Sequence, residues 1–75
     1  MNSSTFIINQ RGAQMKFLKL QAVMAMTCLS RSSIYAAMSA GDFPAQIKLG
    51  ERSVAWLDSE VQIWMETCIN NRGNI

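Results

Sequence analysis

The sequence predicts a mainly α fold, a winged helix-turn-helix built from three helices plus a two-stranded β-hairpin wing. Three observations point to it. Two short stretches with helical apolar spacing stand almost end to end around residue 28. Two alternating runs flank a glycine turn near residue 50. A long amphipathic stretch then opens on acidic residues at positions 58 and 60. The chain has 75 residues, 49% of them hydrophobic, which fits one globular domain. A chain this short buries only roughly 60% of its unfolded surface, so a thin core is expected. Six methionines suit such a core, because their flexible side chains fill irregular gaps.

Residues 1–15 are mostly polar, with one apolar island at Phe6, Ile7 and Ile8 and a glycine at position 12. They read as a flexible N-terminal arm. The folded domain is expected over residues 16–69. Leu20, Val23, Met24 and Thr27 fall at i, i+3, i+4 and i+7, one face of a first helix over residues 20–27. Cys28 and Leu29 then make a tight connection. Ser30 is a good N-cap for a second helix, whose inward face is Ile34, Ala37 and Met38, with Leu29 at its entry. Gly41 is the expected stop, and Phe43-Pro44 keeps that helix from continuing.

In residues 45–56, Ile47 and Leu49 alternate with Gln46 and Lys48, and Val54 and Trp56 alternate with Ser53 and Ala55. Gly50-Glu51-Arg52 lies between as the turn. The alternation predicts a hairpin whose inner row, Ile47, Leu49, Val54 and Trp56, packs on the helices while Lys48 and Arg52 stay in water. Asp58 is the expected N-cap of the third helix, with Leu57 leading in. Val61, Trp64, Met65 and Cys68 form its buried stripe. Glu60 in its first turn suits the helix dipole. Residues 70–75 are expected to fray. The methionines, Trp56 and Trp64 are assigned to the core, and both cysteines to small hydrophobic roles.

The net charge is +2, but its distribution is uneven. Residues 1–57 hold six basic side chains (Arg11, Lys16, Lys19, Arg31, Lys48, Arg52) against Asp42 and Glu51. From Asp58 onward, three acidic residues face Arg72 alone. One cationic surface and a third helix turned elsewhere follow. Two distant cysteines and no histidine leave a zinc site short of ligands, so no metal or other cofactor is expected. Unpaired thiols fit a reducing compartment. The apolar island at Phe6 is too short for a secretory signal, and no apolar run is long enough to cross a bilayer. A cytoplasmic protein is expected. Ser30, Ser32 and Ser33 have no histidine to act as base, so no enzyme is expected either.

A helix that only filled a core would not begin with Ser-Arg-Ser-Ser. Backbone N–H groups at a helix start favour phosphate, and serine hydroxyls add bonds that fix register on a duplex. Arg31 is the one side chain there long and cationic enough to take a guanine through O6 and N7. Tyr35, one turn along, either leans on the DNA backbone or packs its ring against the hairpin. Lys48 and Arg52 on the wing are placed for adjacent phosphates or the minor groove. The expected DNA-binding set is therefore Ser30, Arg31, Ser32, Ser33, Tyr35, Lys48 and Arg52, with double-stranded DNA as partner. A 75-residue regulator is expected to act as a homodimer or as tandem copies on DNA.

These residues resemble a known family. Leu29-Ser30-Arg31-Ser32-Ser33-Ile34-Tyr35, then Gly41-Asp42-Phe43-Pro44, then Trp56-Leu57-Asp58-Ser59-Glu60-Val61 are similar to the AlpA family of small phage and prophage transcriptional regulators. That family is related to excisionases and to MerR-type DNA-binding domains. The resemblance runs over residues 17–68 and implies a winged helix-turn-helix that binds specific DNA near prophage genes. The chain departs from the family at two points. The family usually has glycine where this chain has Cys28, and often arginine where it has Ala36. If position 28 needs a left-handed backbone, the cysteine costs roughly 1–2 kcal/mol.

Two other readings stand beside transcriptional regulation. One is an excisionase that bends attachment-site DNA. The other is a protein-interaction module that docks through Ile63 and Ile69 on the third helix without binding DNA.

Overall fold

The computed structural model describes residues 15–72. In chain order these form β1 (Phe17–Leu18), α1 (Leu20–Thr27), α2 (Arg31–Ser39), β2 (Ile47–Lys48), β3 (Val54–Leu57) and α3 (Asp58–Arg72). The three strands make one antiparallel sheet in the order β1-β3-β2. The predicted arm lies outside the described residues apart from Met15, which is exposed.

All three helices fall where the apolar spacing puts them. α1 presents Val23 to the core, α2 presents Ile34 and α3 presents Val61, each fully buried. With Leu18, Phe43 and Trp56 they form the core cluster, against which Met24, Met26, Met38 and Met65 pack half-buried. Met15 does not join them. No polar or charged side chain is buried among the described residues. Burial of apolar surface therefore holds this fold together, at about 25 cal/mol per Å² removed from water.

The two-stranded hairpin becomes a three-stranded sheet. β1 pairs Phe17 with Leu57 and Leu18 with Trp56, and the Asp58 N–H donates to the Lys16 carbonyl at 2.8 Å. Two residues carry no alternation signal; β1 exists because the edge of β3 offers it partners. That makes β3 the central strand, and Ala55 is buried as well as Trp56 on the opposite face. On the other side Ile47 pairs with Ala55 and Lys48 with Val54. The ladder ends there. The Leu49 and Gly50 N–H groups both turn back to the Ser53 carbonyl, so Leu49 belongs to the turn and is 45% exposed instead of lying in the inner row.

The third helix differs from expectation at its far end. It continues to Arg72, so residues 70–72 are helical, and residues 73–75 lie outside the described residues. Its buried stripe stops early: Trp64 and Met65 are half-buried, but Cys68 is exposed. Strands of two to four residues make a small sheet, and only the first half of a 15-residue helix finds cover on the globule. Cys28 is exposed too, so neither cysteine serves as a core side chain. At the near end the helix begins at Asp58, where its carboxylate accepts from the Gln62 amide at 3.1 Å.

Candidate nucleic-acid interface

The connection between α1 and α2 is three residues long, and the backbone of Cys28 makes it possible. Cys28 has φ 66° in the left-handed region, and its N–H donates to the Met24 carbonyl at 2.8 Å. This is the left-handed helix stop in which glycine usually sits. The Thr27 hydroxyl secures it, donating to the Val23 carbonyl at 2.8 Å and accepting from the Leu29 N–H at 3.2 Å. The condition attached to position 28 in the sequence is met: a side chain with a Cβ occupies a backbone well that disfavours it.

Ser30 then caps α2. Its side chain accepts from the Ser33 N–H at 3.2 Å, and its backbone carbonyl accepts from the Ile34 N–H at 3.0 Å. The three hydroxyls form a small cluster, with Ser30 Oγ donating to Ser33 Oγ at 3.0 Å and lying 3.3 Å from Ser32 Oγ. A hydroxyl has one proton to give. Ser30 gives its proton to Ser33, so Ser32 supplies the proton of the second contact and Ser33 keeps its own for an outside acceptor. Residues 30–33 are all exposed, while Ile34 directly after them is fully buried. The apolar anchor thus fixes a polar, solvent-facing front end.

Arg31 is the first residue of α2, and the first turn holds no acidic side chain. Its guanidinium carbon lies 5.6 Å from the centre of the Tyr35 ring, within cation–π range. Of the two placements open to Tyr35, the ring packs toward the hairpin. It meets Trp56 of β3 edge-on, with centroids 6.3 Å apart and planes at 74°, and its hydroxyl donates to Gln46 Oε1 at 3.4 Å. Trp56 is itself fixed by burial and by its indole N–H on the Pro44 carbonyl at 3.2 Å.

Lys48 lies on β2 and Arg52 in the turn that follows, and both are exposed. Lys19, which the sequence marked only as part of a charge surplus, donates from Nζ to Ser53 Oγ at 3.2 Å. It ties the start of α1 to the hairpin. Gln46 is the residue that sequence reasoning missed at this site. No periodicity links it to Tyr35 eleven positions earlier, so nothing in the sequence could have marked it. No group of three or more His, Cys, Asp or Glu side chains among the described residues could hold a metal ion. No helix among the described residues is long and apolar enough to cross a membrane.

An exposed, cationic helix front, capped by serine and reached through a three-residue turn, sits beside a small antiparallel sheet with a basic hairpin. This arrangement is consistent with a wing-like helix-turn-helix. Residues 16–69 match the family model of the prophage CP4-57 regulatory protein AlpA, and the chain belongs to that family. It is also 48% identical over 59 residues to the uncharacterized protein ORF88 of Enterobacteria phage P4, an alignment covering 79% of this chain and 67% of that one. The protein is thus a member of a phage regulatory family, with a relative carried by a phage.

Proposed function

We propose that this protein is a sequence-specific DNA-binding transcriptional regulator of a phage or prophage element, folded as a winged helix-turn-helix. In this reading α1 and α2 are the helix-turn-helix pair, and the front of α2 enters the major groove. Arg31 reads a guanine through O6 and N7. Ser33 bonds a phosphate oxygen with its spare hydroxyl proton, and Ser30 and Ser32 do so by turning their hydroxyls from the cluster to the duplex, together setting the register. The β2–β3 hairpin is the wing, from which Lys48 and Arg52 contact the flanking backbone. The protein works in the cytoplasm, catalyses no reaction, and binds as a homodimer or in tandem copies.

The observation that carries the reading is the front end of α2. Four consecutive polar residues, one of them cationic, stand exposed at the positive end of a helix with no acidic residue in its first turn. A cation there opposes the helix dipole. An anion brought from outside relieves that opposition, and the duplex backbone is a dense row of anions.

Selection of bound duplexes from a random DNA pool tests the proposal. A recurring sequence motif is expected, with affinity falling steeply in salt at a logarithmic slope of about −3 to −5 for four or five neutralised phosphates. Recovery of no motif at low salt overturns it. In that event the exposed Ile63 and Ile69 on α3 favour the protein-interaction reading instead.

A further inference from the structure

Resting on the DNA-recognition reading above, we propose that Tyr35 is a positioning residue that sets base preference by holding the Arg31 guanidinium in its reading pose. The contacts run in one chain from the core to the groove-facing charge. Trp56 is fully buried and anchored through its indole N–H on the Pro44 carbonyl. Tyr35 rests edge-on against Trp56, and its hydroxyl is held by Gln46. The ring so fixed lies one helical turn from Arg31, the spacing at which side chains on a helix meet. The guanidinium carbon stands 5.6 Å from the ring centre.

Two physical points give this arrangement a function. An exposed arginine has many rotamers, and ordering it on a base costs conformational entropy that a pre-formed contact removes in advance. The guanidinium also carries five N–H donors, of which guanine O6 and N7 take two. A ring contact and a base contact are therefore compatible on the same group. Tyr35 therefore acts through Arg31, and its loss is felt as blurred discrimination at one base pair.

The test compares dissociation constants for the selected site and for the same duplex changed at the base pair read by Arg31. The proteins compared are wild type, Tyr35→Phe, Tyr35→Leu and a series with progressively fluorinated phenylalanines at position 35. Fluorination drains the ring face of electron density while nearly keeping its shape. Tyr35→Phe is expected to retain the discrimination, since the ring face remains. Tyr35→Leu is expected to lose it by about two- to fivefold, the size of an exposed cation–π contact. Discrimination should fall stepwise along the fluorinated series, with the loss larger on the selected site than on unrelated DNA, and every variant should become equal in an Arg31→Ala background.

A purely structural ring would weaken all sequences alike and would ignore fluorination. A flat fluorine series, or uniform weakening by Tyr35→Leu, overturns the proposal while leaving DNA recognition intact. If Tyr35→Leu does not fold, judged by circular dichroism, the near-isosteric fluorine series decides. A wild-type protein that selects no sequence sinks the DNA reading itself, and the positioning role with it.

Discussion

The front ends of α2 and α3 solve the same problem in opposite ways. α3 opens with Asp58 and Glu60, two carboxylates at the positive end of a helix, and Asp58 is further engaged by Gln62. Each such charge stabilises its helix by about 0.3–1 kcal/mol. α2 opens with Arg31 and serines, with no acid in the first turn. Its serine cap offsets part of the disadvantage, but the charge itself has the wrong sign for the helix. The lesson is that α3 starts in a way that serves its own stability, while α2 starts in a way that leaves its positive end unneutralised and exposed. A helix front of the second kind is suited to an external anion.

Reversing the charge at the front of α2 should separate folding from binding. Arg31→Glu is expected to stabilise the fold by roughly 0.3–1 kcal/mol, because removing the opposing charge and adding a complementary one, each worth a similar amount, together outweigh the lost cation–π contact with Tyr35. The same change should weaken DNA binding at least about tenfold, through the lost base contact of roughly 1–3 kcal/mol and added repulsion from phosphate. Thermal melts and binding isotherms on one preparation check both halves. A variant less stable than wild type would break the comparison at α2.

Removing the cap comes next in size. Ser30→Ala frees the Ser33 N–H and should cost about 1 kcal/mol of stability, read by urea denaturation. An unchanged midpoint would mean that the serine cluster does nothing for α2 itself. Cys28→Gly acts on the turn that delivers α2. Glycine accepts φ 66° without strain but is more flexible when unfolded, so the net gain should be just under about 1 kcal/mol, a few degrees in Tm. The smallest effect is expected at α3. Asp58→Asn removes one favourable charge and should cost about 0.3–1 kcal/mol in dilute buffer, fading with added salt. Its DNA binding should hold steady, whereas that of Arg31→Glu should collapse.

Much of this was written in the sequence, for local reasons. Helical apolar spacing located Val23, Ile34 and Val61, and all three are the fully buried residues of their helices. Ser30 as a cap and Gly41 as a stop follow from backbone chemistry. Gly41 has φ 80°, and the end of α2 is closed by Gly41 N–H to the Met38 carbonyl and Asp42 N–H to the Ala37 carbonyl. The polar front of α2 was legible because four residues in a row carried it.

What the sequence could not settle depended on partners far along the chain. β1 takes its existence from Leu57 and Trp56, some forty positions later. Alternation put Leu49 inside and Ala55 outside; a ladder ending at Lys48 and a strand covered on both faces reversed them. The spacing of Cys68 continued a true helical stripe, yet the globule ends before reaching it. The support of Arg31 through Tyr35, Trp56 and Gln46 likewise arises only when α2 packs beside the hairpin. Local periodicity and capping fix which residues form each element, because they act within one or two turns. Which faces are covered, and which side chains brace the charged one, is decided by packing between segments that the order of residues does not place side by side.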